Sequence, residues 1–136
     1  MTESKRVVVT GLGCVSPLGN TVAETWEKGS QGQSGIDRIE KFDPSEMRCQ
    51  IAGEVRNFEL PDLVSPKEAK KMDLFIHSAI AATQEALQDA ALEITEPLEE
   101  EIGISMGVGI GGLGCIEKYT KILLEQGPKR VSPFFI

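Results

Sequence analysis

The sequence predicts an α/β protein in which helices cover a sheet. Short runs rich in β-branched residues alternate with segments of helical hydrophobic spacing, in the order β, α, β, α, α, β, α. The 136 residues suffice for about one domain, and hydrophobic and charged contents of 40% and 26% are typical of a globular protein. Because aromatic residues make up 5% of the chain, the core is expected to be mostly aliphatic.

The N-terminal third predicts two strands separated by a helix. Residues 6–10 (RVVVT) are β-branched and lead into glycines, which is typical of a buried strand that enters a loop. Thr21 and Glu24 form a capping-box pattern, so a short helix is expected to start there and to end among the following glycines. Residues 33–36 are predicted as a loop and residues 50–55 as a weak strand.

The middle of the chain predicts a long helix. Ser65, Pro66 and Glu68 combine a cap, a first-turn proline and a partner that can reach back to the cap. Between positions 73 and 91 apolar residues recur at helical spacing. Many of them are alanine, so close packing and a mostly buried helix are expected. The acidic residues 96–101 are predicted as a solvated loop.

The C-terminal part predicts a strand, a glycine-rich turn and a helix. Residues 102–110 are apolar on both faces, and residues 113–126 predict a helix that the following Gly-Pro pair ends. The turn at 107–112 (GVGIGG) satisfies the GxGxxG pattern of dinucleotide-binding proteins. Against that function, residues 128–136 contain Pro133 and no acidic residue where the next strand should lie. Close strand-to-helix packing is the preferred interpretation, with a nucleotide-binding α/β module as the alternative.

Charge and cysteine usage argue against several classes of protein. The net charge of −7 argues against nucleic-acid binding, which depends on Lys and Arg. The sequence has neither a signal peptide nor a run of about 20 apolar residues, so a cytoplasmic protein without a membrane partner is expected. Three widely spaced cysteines and one histidine match neither a disulfide framework nor a zinc site. No metal or other cofactor is therefore expected.

The cysteines are the first candidates for chemistry. Cys14 lies beside glycines and Cys115 at the start of the last helix, and both positions resemble those of nucleophiles. His77 lies inside the alanine-rich helix, so no base for either thiol is expected. The glycines before Cys14 are a weak phosphate-binding pattern, and Pro17 interrupts it. A structural turn is the preferred interpretation.

Basic residues are the second set of candidates. Lys67, Lys70 and Lys71 have i, i+3, i+4 spacing, which predicts one helix face, and Lys129 and Arg130 form a second basic pair. Local potential counts more than net charge within a Debye length of about 8 Å. From spacing alone, docking of an acidic partner and an ordinary solvated face are equally good interpretations.

The last six residues, VSPFFI (131–136), are mostly apolar. Chain ends are usually polar and exposed, so we expect a longer protein of which residues 1–136 are one part.

Five motifs together resemble the N-terminal part of β-ketoacyl-acyl-carrier-protein synthases, in particular the type II condensing enzymes of bacterial fatty-acid elongation. They are VVVTGLGCVSPLGN (7–20), GQSGI (32–36), KKMDLFIHSAI (70–80), GVGIGGLG (107–114) and GPKRVSPFF (127–135). The resemblance covers residues 1–136 and implies a thiolase-like α/β/α/β/α layered fold, with the N-terminal part of its first half present. It implies a transferase of fatty-acid biosynthesis that condenses malonyl- and acyl-carrier proteins with loss of carbon dioxide.

The resemblance also implies where the chemistry lies. The family's catalytic Cys and two His belong to motifs beyond this sequence, so no catalytic residue is expected in residues 1–136. Ile110 and Phe135 correspond by motif to the acyl pocket near the homodimer interface. The five basic residues at 67, 70, 71, 129 and 130 correspond to the surface that docks the acidic acyl carrier protein. Three alternatives stay open: a non-catalytic chain-length partner, a polyketide-type ketosynthase, and a stand-alone carrier-protein or dimerisation module.

Overall fold

The computed structural model of the protein describes residues 5–133 and residue 135. The chain forms two compact units, one made of Met1–Glu59 with Ile80–Glu93, the other of Leu60–Ala79 with Ile94–Ile136. Of the apolar run at 131–136, positions 134 and 136 lie outside the described residues. The elements are α1 (Val22–Ser30), β1 (Ile36–Arg38), β2 (Ile51–Gly53), α2 (Pro66–Ala69), α3 (Leu74–Asp89), α4 (Glu96–Glu99), α5 (Leu113–Gln126) and a 3-10 helix (Pro128–Arg130).

In the first unit, α1 starts and ends as its sequence predicts. The Thr21 hydroxyl accepts a hydrogen bond from the Glu24 N–H at 3.2 Å, and the Glu24 carboxylate accepts one from the Asn20 N–H at 2.8 Å. Gly32 has a φ of 72° and its N–H donates to the carbonyl of Gly29, which closes the helix in a left-handed turn. The predicted helix start and the Thr21 cap are therefore confirmed, but the predicted capping box is incomplete, because Glu24 bonds to the N–H of Asn20 and not to that of Thr21.

The first unit also contains the antiparallel pair β1–β2, in the register Ile36↔Gly53 and Arg38↔Ile51. The weak strand predicted at 50–55 is confirmed in its centre. The prediction of a loop up to residue 36 ends one residue too late, because Ile36 already begins β1. Arg56 links this pair, since its guanidinium lies 3.0 Å from the Asp37 carboxylate.

The N-terminal segment packs directly on α3 through two glycines. A Cβ on Gly11 would lie 2.2 Å from the Ala86 carbonyl oxygen, and one on Gly13 would lie 1.8 Å from the Ala82 carbonyl oxygen. The carboxylates of Asp89 and Glu85 accept the N–H groups of residues 12 and 14 at 2.9 and 2.8 Å. The close packing predicted from the alanines agrees with these contacts. Residues 11–16 have no turn assignment, so the structural turn predicted for these glycines does not form there.

In the second unit, the long helix predicted from Ser65 is interrupted. The capping box at Ser65 is present, but α2 ends at Ala69 and α3 begins at Leu74. The N–H groups of Lys71 and Met72 bond three residues back, which tightens the chain into a turn and ends α2. The prediction of one continuous helix is therefore wrong at this turn.

The C-terminal helix is confirmed with its predicted bounds, because α5 spans Leu113–Gln126 and the N–H of Gly127 donates to the Leu123 carbonyl. The acidic stretch at 96–101 was predicted as a loop, and four of its residues instead form α4, which Pro97 helps to start.

Two predicted strands do not form. Residues 6–10 and 102–110 have no strand assignment, and the described residues contain one two-stranded sheet, β1–β2. Strand propensity produces a strand only where a neighbour completes the hydrogen-bond ladder, and neither segment has such a neighbour among residues 5–133 and 135. Their apolar side chains are accordingly exposed, Val7 by 92% and Ile104 by 79%.

Few positions in the described part of the chain are fully buried. They are Pro44, Glu54 and Val64. The prediction that the alanine-rich helix is mostly buried is wrong. Residues 76–87 of α3 are half-buried, and no residue of α3 is buried.

Candidate functional site

The second unit contains an open cleft of ≈ 500 Å³ where the start of α3, the turn at 110–112 and the start of α5 come together. Its apolar wall comes from two aromatic and two branched aliphatic side chains, and a lysine and an aspartate lie at its edge. The lining residues are Lys71, Asp73, Phe75, Ile76, Gly111, Gly112, Cys115, Ile116 and Phe135. Such a combination suits an apolar ligand with a polar end.

Phe135, predicted as a pocket residue, lines this cleft. Its ring lies 4.9 Å from the Tyr119 ring, centroid to centroid, with the planes tilted by 52°. Its N–H donates to the carbonyl of Ser132 at 3.1 Å. The aromatic ring is therefore held against α5 and covers one side of the cleft.

Ile110, the other predicted pocket residue, directly precedes the cleft and is 77% exposed. The next residue, Gly111, lies close to the Phe75 ring, because a Cβ on Gly111 would be 3.0 Å from two of its ring carbons. The structure therefore brings Gly111 and Phe135 to one cleft, whereas Ile110 precedes Gly111 in the chain and is not among the lining residues.

The five predicted docking residues are all exposed. Lys71 lines the cleft, whereas Lys67 lies on α2 and the pair Lys129–Arg130 lies on the 3-10 helix. The predicted single helix face does not form, because α2 ends at Ala69 and the lysines at 70 and 71 follow it. All five nevertheless belong to the same unit.

Glu68 is the acidic residue among these lysines. Its carboxylate accepts hydrogen bonds from the hydroxyl and the N–H of Ser65, and these bonds lower the pKa of Glu68, with a smaller contribution from the charge of Lys71. The Glu68 carboxylate therefore forms part of the capping box of α2.

The surroundings of Cys115 do not resemble those of an activated thiol. Burial raises the pKa of the Cys115 thiol, and the hydrogen bond and charge of Asp73 raise it further, against a smaller opposite effect of Lys118. The Cys49 thiol is exposed and donates to the carbonyl of Ile51 at 3.4 Å. The His77 ring lies 3.2 Å from the carbonyl of Ala69 through Nε2, so its contact is with the backbone of α2.

Asp73 is a cleft residue that the sequence interpretation missed. Its Oδ1 accepts from the N–H of Leu74 at 2.7 Å, and its Oδ2 accepts from the N–H of Cys115 at 3.4 Å. The available signal was an aspartate immediately before the apolar periodicity, which is typical of a helix start. That signal predicts the contact with α3 but not the one with α5.

The alternative of a dinucleotide-binding turn loses its structural context. That motif requires a strand directly before the glycines, and residues 102–110 form none. Cβ atoms on Gly107 and Gly109 would meet no atom within 4 Å, so the preferred interpretation, close packing through these glycines, is also wrong for these two. It is correct for Gly111.

Two further features concern metals and membranes. Residues 5–133 and 135 contain no group of three or more His, Cys, Asp or Glu side chains placed to hold a metal ion. Within the same described part, no helix has the length and apolar character needed to cross a bilayer.

Comparisons with known proteins agree on one family. The family described as beta-ketoacyl synthase, N-terminal domain, matches residues 4–136. Curated relatives named 3-oxoacyl-[acyl-carrier-protein] synthase 2 are 48% identical over 98% of this chain in Synechocystis sp., 46% over 100% in Staphylococcus aureus (strain COL), and 49% over 98% in Vibrio harveyi. The matches cover 32%, 33% and 32% of those proteins, so the chain spans about a third of their length.

A solved structure, the ishigamide ketosynthase/chain length factor, matches 96% of this chain and 33% of its own, with a TM-score of 0.73 and 28% identity. The predicted fold class is thereby confirmed as that of the ketosynthases, the thiolase-like α/β fold. The chain belongs to the beta-ketoacyl synthase family, in which residues 4–136 form part of the N-terminal domain.

Proposed function

We propose that residues 1–136 are the N-terminal part of a cytoplasmic, homodimeric 3-oxoacyl-acyl-carrier-protein synthase of fatty-acid elongation. In the reaction, an acyl group passes from its carrier thioester to an enzyme cysteine. Malonyl-carrier protein then loses carbon dioxide, its carbanion attacks the enzyme thioester, and the enzyme thiol leaves as 3-oxoacyl-carrier protein forms. The reacting Cys and the two His would lie outside these residues, whose task is recognition.

The observation that carries the proposal is the cleft of the second unit, where an apolar wall meets a lysine. Phe75 and Phe135 offer aromatic surface to a hydrocarbon chain, and each buried methylene contributes about 0.8 kcal/mol. Lys71 at the edge suits the acidic protein that delivers the chain. The relatives named as acyl-carrier-protein synthases support this assignment.

A second candidate is a non-catalytic chain-length partner or polyketide-type ketosynthase, which the similarity to the ishigamide ketosynthase/chain length factor favours. The higher identity to the curated synthases, 46–49% in the three relatives above against 28%, favours fatty-acid elongation. Incubating the synthase that contains residues 1–136 with acyl- and malonyl-carrier proteins separates the condensing enzymes from the non-catalytic chain-length partner. Release of carbon dioxide with formation of 3-oxoacyl-carrier protein supports condensation, and its absence supports the chain-length partner.

Enlarging Ile110 to Phe is expected to shorten the acyl chains that the synthase produces. The resemblance assigns Ile110 to the acyl pocket, and its 77% exposed side chain precedes the cleft residue Gly111, so an added ring would take space that an acyl chain uses. The measurement is the distribution of product lengths by mass spectrometry. Leu124→Phe is the matched control, because Leu124 is 80% exposed on α5 and, unlike Ile110, is not adjacent in the chain to any lining residue of the cleft. An Ile110→Phe profile identical to wild type would contradict the pocket assignment.

Residues 1–136 by themselves are expected to accept no acyl group at an enzymatic rate. The pKa of the Cys115 thiol is raised, which disfavours the thiolate, and His77 contacts a backbone carbonyl. These two residues therefore do not form a thiolate paired with a base. Incubation with radiolabelled acyl-carrier protein, followed by protein gel autoradiography, measures the transfer. Label on any of the three cysteines within the turnover time of a synthase would contradict this expectation.

A further inference from the structure

We propose that Asp73 is a positioning residue that holds the turn carrying Ile110 by joining the N-terminus of α5 to the N-terminus of α3. The inference rests on the proposed function, because it assigns this carboxylate a part in shaping the acyl pocket. Asp73 has no catalytic role in this proposal, because it acts by holding the turn in place.

The two oxygens of Asp73 serve two different helices. Oδ1 accepts the N–H of Leu74, the first residue of α3, at 2.7 Å. Oδ2 accepts the N–H of Cys115, in the first turn of α5, at 3.4 Å. First-turn N–H groups have no partner within their own helix, and the positive ends of both helix dipoles face the carboxylate. A single side chain therefore accepts a hydrogen bond from the first turn of each helix.

The helix α5 depends on this contact because it has no side-chain cap of its own. Its N-cap residue is Gly112, which has a φ of 73° and no side chain to offer. A Cβ on Gly112 would lie 3.8 Å from Oδ2 of Asp73, so the carboxylate lies against the turn itself. Asp73 thus supplies the acceptor that the N-cap position lacks.

The same end of α3 also contacts the turn through an aromatic ring. Phe75 lies so close to Gly111 that a Cβ there would be 3.0 Å from two ring carbons. The turn is therefore in contact with α3 at Asp73 and at Phe75, and Ile110 directly precedes it. When the bond to Asp73 is lost, one of these two contacts is lost, and Ile110 is less well placed to contact an acyl chain.

The test compares Asp73→Ser with Asp62→Ser in the full synthase. Serine is a preferred helix cap and preserves a cap for α3, but its single short hydroxyl cannot also reach Cys115. Asp62 is an exposed aspartate of the same unit, so its variant controls for the chemical change. We expect Asp73→Ser to raise KM for long-chain acyl-carrier protein about five-fold, which corresponds to about 1 kcal/mol, the net contribution of a typical hydrogen bond. The increase should be larger for long than for short acyl chains, and the Asp62→Ser control should keep kcat and KM for both chain lengths within about two-fold of wild type.

A second readout is independent of synthase activity. Asp73 raises the pKa of the Cys115 thiol, so removal of the carboxylate lowers that pKa, while Lys118 stays in place. The midpoint of the pH–rate profile for alkylation of residue 115 by iodoacetamide, measured by peptide mass spectrometry, should move to lower pH in Asp73→Ser and stay unchanged in Asp62→Ser.

The two readouts separate the possible failures. An unchanged alkylation midpoint would show that Asp73 does not contact the start of α5, which overturns the proposal. A shifted midpoint with unchanged KM for long chains would overturn the positioning role while leaving the contact. If the wild-type synthase forms no 3-oxoacyl product, the proposed function is wrong, and so is the role of Asp73 in the acyl pocket. The alkylation midpoint would then still test the contact between Asp73 and the start of α5.

Discussion

Replacing Gly13 by alanine is expected to destabilise the first unit by about 3 kcal/mol, the upper end of the usual cost of overpacking. A Cβ at this position would lie 1.8 Å from the carbonyl oxygen of Ala82 and 2.7 Å from its carbonyl carbon. Both atoms belong to the backbone of α3, so no side-chain rotation can make room. The segment would have to move away from the helix, which would also strain the hydrogen bond from the Cys14 N–H to the Glu85 carboxylate.

The measurement is urea unfolding followed by far-UV circular dichroism, and Gly29→Ala is the control. Gly29 lies in α1 of the same unit, where a Cβ would meet its nearest neighbour at an ordinary 3.7 Å. Alanine is there expected to stabilise the helix by up to about 1 kcal/mol. Equal unfolding midpoints for Gly13→Ala and wild type would mean that the segment does not pack on α3 as described.

The glycines and alanines illustrate what could be predicted from sequence. Local sequence signals predicted the structure correctly where a few neighbouring residues determine it. Examples are the Thr21 cap of α1 and the Gly-Pro pair that ends α5. The alanines of α3 correctly indicated a close neighbour, because small side chains have little other reason to cluster on one helix face. They could not say which segment that neighbour is.

The strands show where prediction from sequence fails. The runs at 6–10 and 102–110 have the composition of strands, but a ladder depends on a partner segment that local sequence does not specify. The break between α2 and α3 was missed for a related reason. Each helix has its own start signal, and the second, Asp73, directly precedes the apolar periodicity, which was assigned to the helix that Ser65 starts.

The candidate site was predicted in part. Phe135 and Lys71 were both named from motif position, and the structure brings them to one cleft. The contact between Asp73 and α5 joins residues 42 positions apart, and no periodicity in the sequence marks such a pair. The contact between Asp73 and Cys115 is evident only from the three-dimensional structure.

Reversing Lys70 and Lys71 to Glu in the full synthase is expected to raise KM for acyl-carrier protein about ten-fold at low ionic strength, which corresponds to about 1.4 kcal/mol of association free energy. Both side chains are exposed, and Lys71 also lines the cleft. The reversed charges would repel an acidic carrier, while kcat should change little, since such rim charges act mainly on association. Steady-state kinetics with varied carrier protein measures both constants.

Salt and a charge-matched variant decide whether the effect is local. The increase in KM should become smaller as ionic strength rises from 0.01 to 0.15 M, because the Debye length falls from about 30 to about 8 Å. Lys118→Glu with Lys121→Glu is the control, since both lysines are exposed on α5 of the same unit and the change in net charge is the same. If the control raised KM as much, the carrier would be responding to the total charge of the protein. If neither pair changed KM at low salt, the lysines after α2 would have no part in docking, and their exposed positions would be those of an ordinary solvated surface.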